Sequence, residues 1–316
     1  MSRLSYIKAT AYQILPNKLQ TVVRSYYDDK RMKHWQECFR VKISEEQVNE
    51  LFAQMALNSD IMIHSSLPDI GHIKMRHIIA CLERYVLDSG NTILCPALPI
   101  KGSSLEYLES INEFDVRTAP NAMGTISTYF GRQEGSKRSL SPTHSVVALG
   151  NRSEYFTGEH HLSETPFTEK SPYYKILVNG GKILMFGASL KNLTFNHVVE
   201  DMIGEDLFPV HVYDPTRFTI DLVNEFGERT KGVFRAHSRK SGRLRDSTEL
   251  MGRVRELNST HVYPLGCGEV ILMDARDVCL CLLNGLKQGL TTMGHRHISE
   301  ECRHKAEEWI IYIRQL

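Results

Sequence analysis

The sequence predicts an α/β fold, a single large domain around a mostly parallel central sheet flanked by helices, and three observations carry that prediction. Ser44–Ala56 has a helical period, with Val48, Leu51, Phe52 and Met55 on one side and Glu45, Glu46 and Gln54 on the other. It hands over through Asn58–Asp60 to the apolar run Ile61–Ile63, which reads as a buried strand. The alternation then repeats, with His72–Leu87 as a second helix and Thr92–Cys95 as a second strand. Further on, Ser145–Leu149 and Lys182–Phe186 are two more apolar runs of strand length, the second introduced by the turn signal Gly180-Gly181. Helices alternating with short, continuously apolar strands are what a sheet covered on both faces requires.

The remaining elements follow from local chemistry. Ser44, with Gln47 three residues later, forms the capping-box pattern that starts a helix. After Cys95 the chain reads as loop-rich through Ser141. Phe195–Met202 and Asp274–Leu286 read as helices, and Ile298–Leu316 closes the chain as an amphipathic helix with Trp309, Ile310 and Ile313 facing inward. No internal repeat or low-complexity tract interrupts this order. The expected organisation is a basic N-terminal arm over 1–43, one domain over 44–293 and the C-terminal amphipathic helix over 294–316.

Composition removes whole classes of function. With 41% hydrophobic and 24% charged residues in 316, the chain has the make-up of a globular protein with a large core. Its longest apolar runs, such as Val270–Met273 and Val278–Leu283, are far too short to span a bilayer. The N-terminus shows no apolar core followed by a small-residue cleavage site, so the expected location is cytoplasmic. Seven cysteines, an odd number with no paired C-x-x-C, read as buried thiols rather than a disulfide framework or a metal site. A net charge of +1 supplies no overall field to draw nucleic acid.

Charge does cluster locally. The arm up to Arg40 mixes Lys and Arg with Tyr, Phe and Trp, and is expected to pack on its own domain or on a neighbouring subunit, which makes a homodimer a candidate assembly. Arg235–Arg255 gathers five further arginines or lysines and His237, and its Ser and Gly content suggests a mobile loop.

Open α/β sheets bind ligands beyond the carboxyl ends of their strands, so the chemistry is sought there. Three segments qualify. Ile61–Ile63 runs into His64-Ser65-Ser66-Leu67, whose hydroxyls and backbone N–H groups suit an anion, although Ser-Ser at a strand end also simply closes a turn. Arg138-Ser139-x-x-Pro142-x-x-Ser145 offers a guanidinium fork to phosphate, or else a brace for a long loop. Thr194-x-x-His197-x-x-Glu200 places a hydroxyl, an imidazole and a carboxylate at neighbouring positions of one helix. An imidazole is suited to taking a proton from an attacking amine near neutrality, and Glu200 could hold the ring while Thr194 donates to an oxyanion. The plainer reading is a helix cap at Thr194 and a solvated Glu200.

The order and spacing of these segments resembles the aminoglycoside 3-N-acetyltransferase family, also called the antibiotic N-acetyltransferase family and distinct from the GCN5-like acetyltransferases. The resemblance runs from about Ser44 to Gly289 and rests on His64-Ser65-Ser66-Leu67, Phe114-Asp115 with Thr118 and Pro120, and Met123-Gly124. It continues through Arg138-Ser139 with Pro142 and Ser145, Ser171-Pro172, Phe186-Gly187 and Thr194-x-x-His197-x-x-Glu200. Ser141 departs from the pattern, standing where many relatives have His before the proline. The resemblance implies acetyl-CoA as co-substrate, with His64, Ser65, Ser66, Leu67, Arg138, Ser139 and Ser145 as its contacts. It implies His197 as general base, Glu200 as its orienting partner and Thr194 at the thioester carbonyl. It implies direct transfer to an amine, with neither a cysteine nucleophile nor a metal.

The implied partner is a small-molecule amine, an aminoglycoside or another amino sugar, and no nucleic acid. Glu200, Asp201, Glu205 and Asp206 would supply an acidic wall for a polycationic aminoglycoside, whereas the basic Arg235–Arg255 segment suits an amino sugar on a nucleotide or polysaccharide. Two other classes stay open: a coenzyme A-binding protein without turnover, and a Ser–His hydrolase built on Ser65, Ser66 or Ser145, which lacks the G-x-S-x-G elbow.

Overall fold

The structure, a computed structural model, describes residues 29–100 and 102–316. Most of the predicted N-terminal arm, residues 1–28, therefore lies outside the described residues. The described end of that arm is docked: a helix over 29–38 carries Trp35, whose indole N–H donates to Asp69 at 2.8 Å. Ile43 N–H then donates to the His72 carbonyl and His72 N–H to the Val41 carbonyl, which pins the following segment to the 67–72 turn. The next helix, Glu45–Gln54, has the expected capping box, with Gln47 N–H on Ser44 Oγ at 3.2 Å and Ser44 N–H on Gln47 Oε1 at 2.9 Å.

In chain order the first strands are β1 (Ile61–Ser65), β2 (Thr92–Pro96), β3 (Glu113–Asp115), β4 (Lys137–Arg138), β5 (Val146–Gly150) and β6 (Lys182–Phe186). There follow β7 (Phe218–Val223), β8 (Arg229–Phe234), β9 (His261–Leu265), β10 (Gly268–Asp274), β11 (Leu290–Thr291) and β12 (Gly294–His295). Seven of them form the central sheet, in the order β4-β5-β2-β1-β6-β10-β9. Its inner strands β2, β1, β6 and β10 are largely apolar because both of their faces are covered. Met62, Leu94, Ile183, Met185 and Ile271 enter one core, while Ile61, Ile63, Ile93, Leu184 and Phe186 enter the other, the period-2 alternation of a two-sided sheet.

The first core is closed by Ala275–Lys287, which Asp274 caps through Arg276 N–H at 2.9 Å, and by the C-terminal helix Glu300–Gln315. The second is closed by Glu45–Gln54 and Met75–Leu82. The predicted inward face of the last helix is present: Ile310 and Ile313 are buried, and the Trp309 indole N–H donates to the carbonyl of Met202 at 2.7 Å.

The α/β class holds, but the sheet is mixed rather than mostly parallel. Parallel pairing is confined to β2, β1 and β6; β4, β5, β9 and β10 all pair antiparallel. Part of the reason lies in the connections. β9 and β10 are joined only through Gly266 and Cys267, and β4 and β5 through the short stretch 139–145, too short for a crossover.

A second, three-stranded sheet, β3-β7-β8, stands beside the first with its own small core of Leu105, Leu108, Phe114, Ile220, Leu222 and Phe234. It corrects two expectations. The stretch through Ser141 contains helices at Ser104–Ser110 and Thr125–Phe130 as well as β3 and β4. The Arg235–Arg255 segment is not a mobile loop: it starts just after β8 and runs into the helices Arg239–Leu244 and Thr248–Arg255, the former capped by Ser238 Oγ on Ser241 N–H at 3.0 Å. The chain's seven cysteines, all among the described residues, are unpaired, and five are buried. Among those residues no helix is long and apolar enough to cross a membrane.

Gly187, where β6 ends, is the tightest backbone passage near the site described next. Its φ is +72°, and a Cβ there would stand 2.5 Å from the carbonyl oxygen of Ser66 and 2.7 Å from Ile70. Gly187→Ala is expected to lower unfolding free energy by about 2 kcal/mol or more, because backbone rather than a flexible side chain blocks the methyl. Urea unfolding measures this; an unchanged midpoint would show that the passage is slack.

Candidate active site

Beyond Gly187 the chain makes two tight turns, Leu190–Asn192 and Thr194–His197, and enters the helix Val198–Ile203, which Gly204 ends at φ +87°. Leu193, Phe195, Val198 and Val199 are buried in the core below, so the turn can rotate little, and His197 is left at the surface of a cavity. Its Nδ1 lies 2.9 Å from Glu200 Oε2, one helical turn on.

Glu200 is buried and fully engaged. Arg245 reaches both of its oxygens, through Nη1 to Oε1 and through Nη2 to Oε2 at 3.0 Å, and the Thr292 hydroxyl also donates to Oε1. Arg245 Nη1 and Thr292 Oγ1 are themselves 2.9 Å apart, which closes the network. Thr292 is delivered by the β11–β12 hairpin, and Arg245 by the chain between two helices. Burial alone would raise the Glu200 carboxyl, but the His197 and Arg245 charges and their hydrogen bonds outweigh it and hold the group below the usual carboxylate range.

The imidazole is not isolated. His237 sits 4.7 Å from His197 between ring centroids, Phe167 lies 5.1 Å away, and His144 is 5.3 Å from His237. Tyr213 stacks under His237 at 5.0 Å and 17°. Burial lowers the His197 pKa, Arg245 lowers it further, and Glu200 pushes it back up. His144 and His237 are driven well below the ordinary imidazole value, again chiefly by burial, so both rings are neutral near pH 7.

With Nδ1–H given to Glu200, a neutral His197 keeps its lone pair on Nε2. The cavity it borders has a volume of about 550 Å³ and is also lined by Leu98, Ile100, Thr143, His144 and His237, with Glu106, Arg239, Arg243 and Arg245 among its charged residues. Among the described residues, His197, Glu200 and His237 bring ligand-type atoms within 4.8 Å of one another. Both Glu200 oxygens are already occupied by Arg245, Thr292 and His197, however, so this set is built as an ion-pair network and not as an open cation site.

A family model described as aminoglycoside 3-N-acetyltransferase matches residues 62–286. The chain belongs to the aminoglycoside 3-N-acetyltransferase family. An aminoglycoside N(3)-acetyltransferase III from Salmonella sp is 27% identical over 176 residues, half of this chain and 60% of that protein. One from Enterobacter cloacae is 29% identical over 157 residues, 44% of this chain and 53% of that protein. The chain thus spans little more than half the length of the curated relatives it matches.

Solved structures share the fold at low identity. AAC-IIIb in a binary complex with CoASH superposes with a TM-score of 0.61 at 21% identity, over 78% of this chain and 97% of that one. YokD from Bacillus subtilis gives 0.59 at 19% over 87% and 95%, and sisomicin-bound AAC-VIa gives 0.57 at 17% over 75% and 95%.

Within this 3-N-acetyltransferase fold the structure joins some of the expected site residues and separates others. His197 and Glu200 come together as expected. Thr194 opens the turn before His197 and is not among the residues lining the cavity. His64-Ser65-Ser66-Leu67 builds the strand end and its turn: His64 is buried, with burial pushing its pKa down to about 4, Ser65 stays in the ladder opposite Phe186, and Ser66 donates to Asp69.

Arg138, expected to hold phosphate, instead donates to the carbonyls of Ala119 at 2.7 Å, Ala97 at 2.6 Å and Pro120 at 2.8 Å, and to Ser145 Oγ at 3.1 Å. Ser145 donates to Ala97 O, and Ser139 Oγ is shared between Val146 N–H and His160. The guanidinium fork that suits a phosphate suits converging carbonyls equally well, and here it braces the loops beside β4 and β5.

Of the expected acidic wall, Asp206 stays exposed while the other three are engaged. Glu200 and Asp201 are engaged internally, and Glu205 pairs with Arg235. Arg245 and Thr292 are not legible as partners of Glu200, because they lie 45 and 92 residues away in sequence, and the sequence offers Asp201 only as part of an acidic wall and His237 only as part of a basic segment.

Arg138→Ala should therefore act on stability. Leaving the carbonyls of Ala97, Ala119 and Pro120 without their donor is expected to cost about 2–4 kcal/mol. Chemical unfolding gives that number, and calorimetry on the folded variant should find coenzyme A affinity within a few-fold of the parent. A stable variant that has lost coenzyme A binding would return the residue to the phosphate site.

Proposed function

We propose that the chain transfers an acetyl group from acetyl-CoA directly to a primary amine of an aminoglycoside or amino-sugar acceptor, with His197 as general base. The observation that carries this reading is the His197–Glu200–Arg245 chain on the wall of the cavity, which leaves one imidazole lone pair at the place where two substrates can meet. A thioester is already activated, so the protein's task is alignment, removal of one proton and stabilisation of one oxyanion.

In the proposed step the amine lone pair attacks the thioester carbonyl carbon and His197 Nε2 takes a proton from the nitrogen. The tetrahedral intermediate collapses, the C–S bond breaks, and coenzyme A leaves as a thiolate that recovers the proton. Glu200 holds the ring in the tautomer this requires and stabilises the imidazolium as it forms. The low His197 pKa keeps the ring unprotonated and ready near pH 7. Leu98 and Ile100 offer an apolar wall to a pantetheine arm, and Arg239 and Arg243 offer positive charge to phosphates.

Sisomicin in AAC-VIa supports an aminoglycoside as acceptor. The lining itself supports a less cationic amino sugar, since Glu106 is the one acidic side chain among the cavity's lining residues and Arg239 stands 3.6 Å from it. The hydrolase reading is weakened, because Ser66 donates to Asp69 and Ser145 to Ala97 O rather than to His197. The intact His197–Glu200–Arg245 assembly supports turnover over a purely binding role.

His197→Ala is expected to lower amine-dependent release of coenzyme A by about 10²–10⁴-fold while coenzyme A affinity stays within a few-fold. The assay runs aminoglycosides and nucleotide-linked amino sugars side by side and follows the acetylated product by mass. Wild-type turnover in the variant would put the base elsewhere.

A further inference from the structure

Asp201 follows Glu200 in the Val198–Ile203 helix, and successive helical residues point about 100° apart, so the two carboxylates serve different neighbours. Glu200 meets Arg245 and Thr292. Asp201 turns to two segments that come from elsewhere in the chain: its Oδ1 accepts the Tyr213 hydroxyl at 2.6 Å, and its Oδ2 accepts the backbone N–H of Phe167 at 2.9 Å.

These two partners are the aromatic walls of the imidazole cluster. Tyr213 lies flat against His237, at 5.0 Å and 17°. Phe167 stands 5.1 Å from His197 and 5.9 Å from His237, and the two imidazoles are 4.7 Å apart. Asp201 therefore holds the backbone at Phe167 and the hydroxyl of Tyr213, two of the rings packed around His197 and His237. Phe167 also packs on His144 at 4.9 Å and on Tyr173 at 5.0 Å, and Arg235 lies 6.0 Å over the Tyr213 ring but bonds to Glu205.

We propose that Asp201 is a positioning residue for the acetyl-transfer step, setting the direction of the His197 lone pair through Tyr213 and Phe167. The inference rests on His197 as the base. It extends that reading, because the Glu200 bond fixes the ring at Nδ1 while leaving it free to tilt about that bond. The flanking rings remove that tilt. An error of about 1 Å in such a group costs up to about 10²-fold in rate, so the walls matter to turnover without touching substrate.

The test compares Asp201→Ala, Asp201→Asn, Tyr213→Phe and His197→Ala, using acetyl-CoA and whichever amine of the panel above is acetylated fastest. Two readouts are taken: kcat with the acetyl-CoA KM, and the histidine ring signals in nitrogen-15 spectra. Asp201→Ala is expected to lower kcat by about 10-fold or more with the acetyl-CoA KM within about 2-fold, and to move the His197 and His237 ring signals. Asp201→Asn, which keeps an oxygen of the same shape, should recover most of the loss.

Wild-type kcat and unmoved ring signals in Asp201→Ala, with His197→Ala inactive, would overturn the inference. An active His197→Ala would instead overturn the assignment of the base, and the ring signals alone would then show whether Asp201 holds the cluster. Should Asp201→Ala not fold, Tyr213→Phe removes only the hydroxyl and decides the matter: displaced His237 and His197 signals with a several-fold lower kcat support the inference, and no change in either overturns it.

Discussion

Glu200 is a carboxylate with no access to water, and the rest of the site is arranged around making that tolerable. An ionised carboxylate left alone in such a place costs several kcal/mol, so it persists only with its charge opposed and its oxygens bonded. Arg245 opposes the charge, Thr292 and Arg245 occupy Oε1, and His197 and Arg245 share Oε2. Each of these partners arrives on a different element, which ties the β11–β12 hairpin, the end of the Arg239–Leu244 helix and the turn after β6 into one assembly. The imidazole gains a fixed orientation and one free nitrogen from the same arrangement.

The sheet supplies the place for it. β6 lies beside β1 in the parallel centre, and the chain leaving its carboxyl end at Gly187 carries His197 to the side of the sheet where β2 and β5 deliver Leu98 and His144. The small β3-β7-β8 sheet closes the opposite wall, bringing His237 on the chain just after β8 and Glu106 on the helix before β3. The C-terminal helix contributes from outside through Trp309, whose indole bonds the last turn of the Val198–Ile203 helix. The cavity thus stands between two sheets, each with a core of its own.

Much of this was legible in the chain and some was not, for physical reasons that differ from residue to residue. The buried strands β1, β2, β5 and β6 declare themselves as continuous apolar runs because both of their faces are covered. β8, with Arg229 and Lys231 exposed, and β9, with Pro264 and exposed His261, are edge strands whose composition hides them. The pair His197–Glu200 is readable because its members share one helical turn. Arg245 and Thr292 stand 45 and 92 residues from Glu200, and nothing local marks either as its partner. Arg138 leaves two readings open in the sequence for a subtler reason: its fork geometry is a property of the side chain, and only the fold decides whether phosphate oxygens or, as here, backbone carbonyls come to meet it.

The account stands or falls on whether the buried Glu200 charge controls the His197 imidazole. Glu200 raises the affinity of that ring for a proton, while burial and Arg245 lower it below the ordinary value of 6.5. Following the His197 ring by nitrogen-15 resonance through a pH titration, in the parent and in Glu200→Gln, tests this directly. With the carboxylate gone and Arg245 left unopposed, the His197 midpoint is predicted to move to lower pH than in the parent, which itself titrates below 6.5. A midpoint that stays put or moves up in Glu200→Gln would contradict the account.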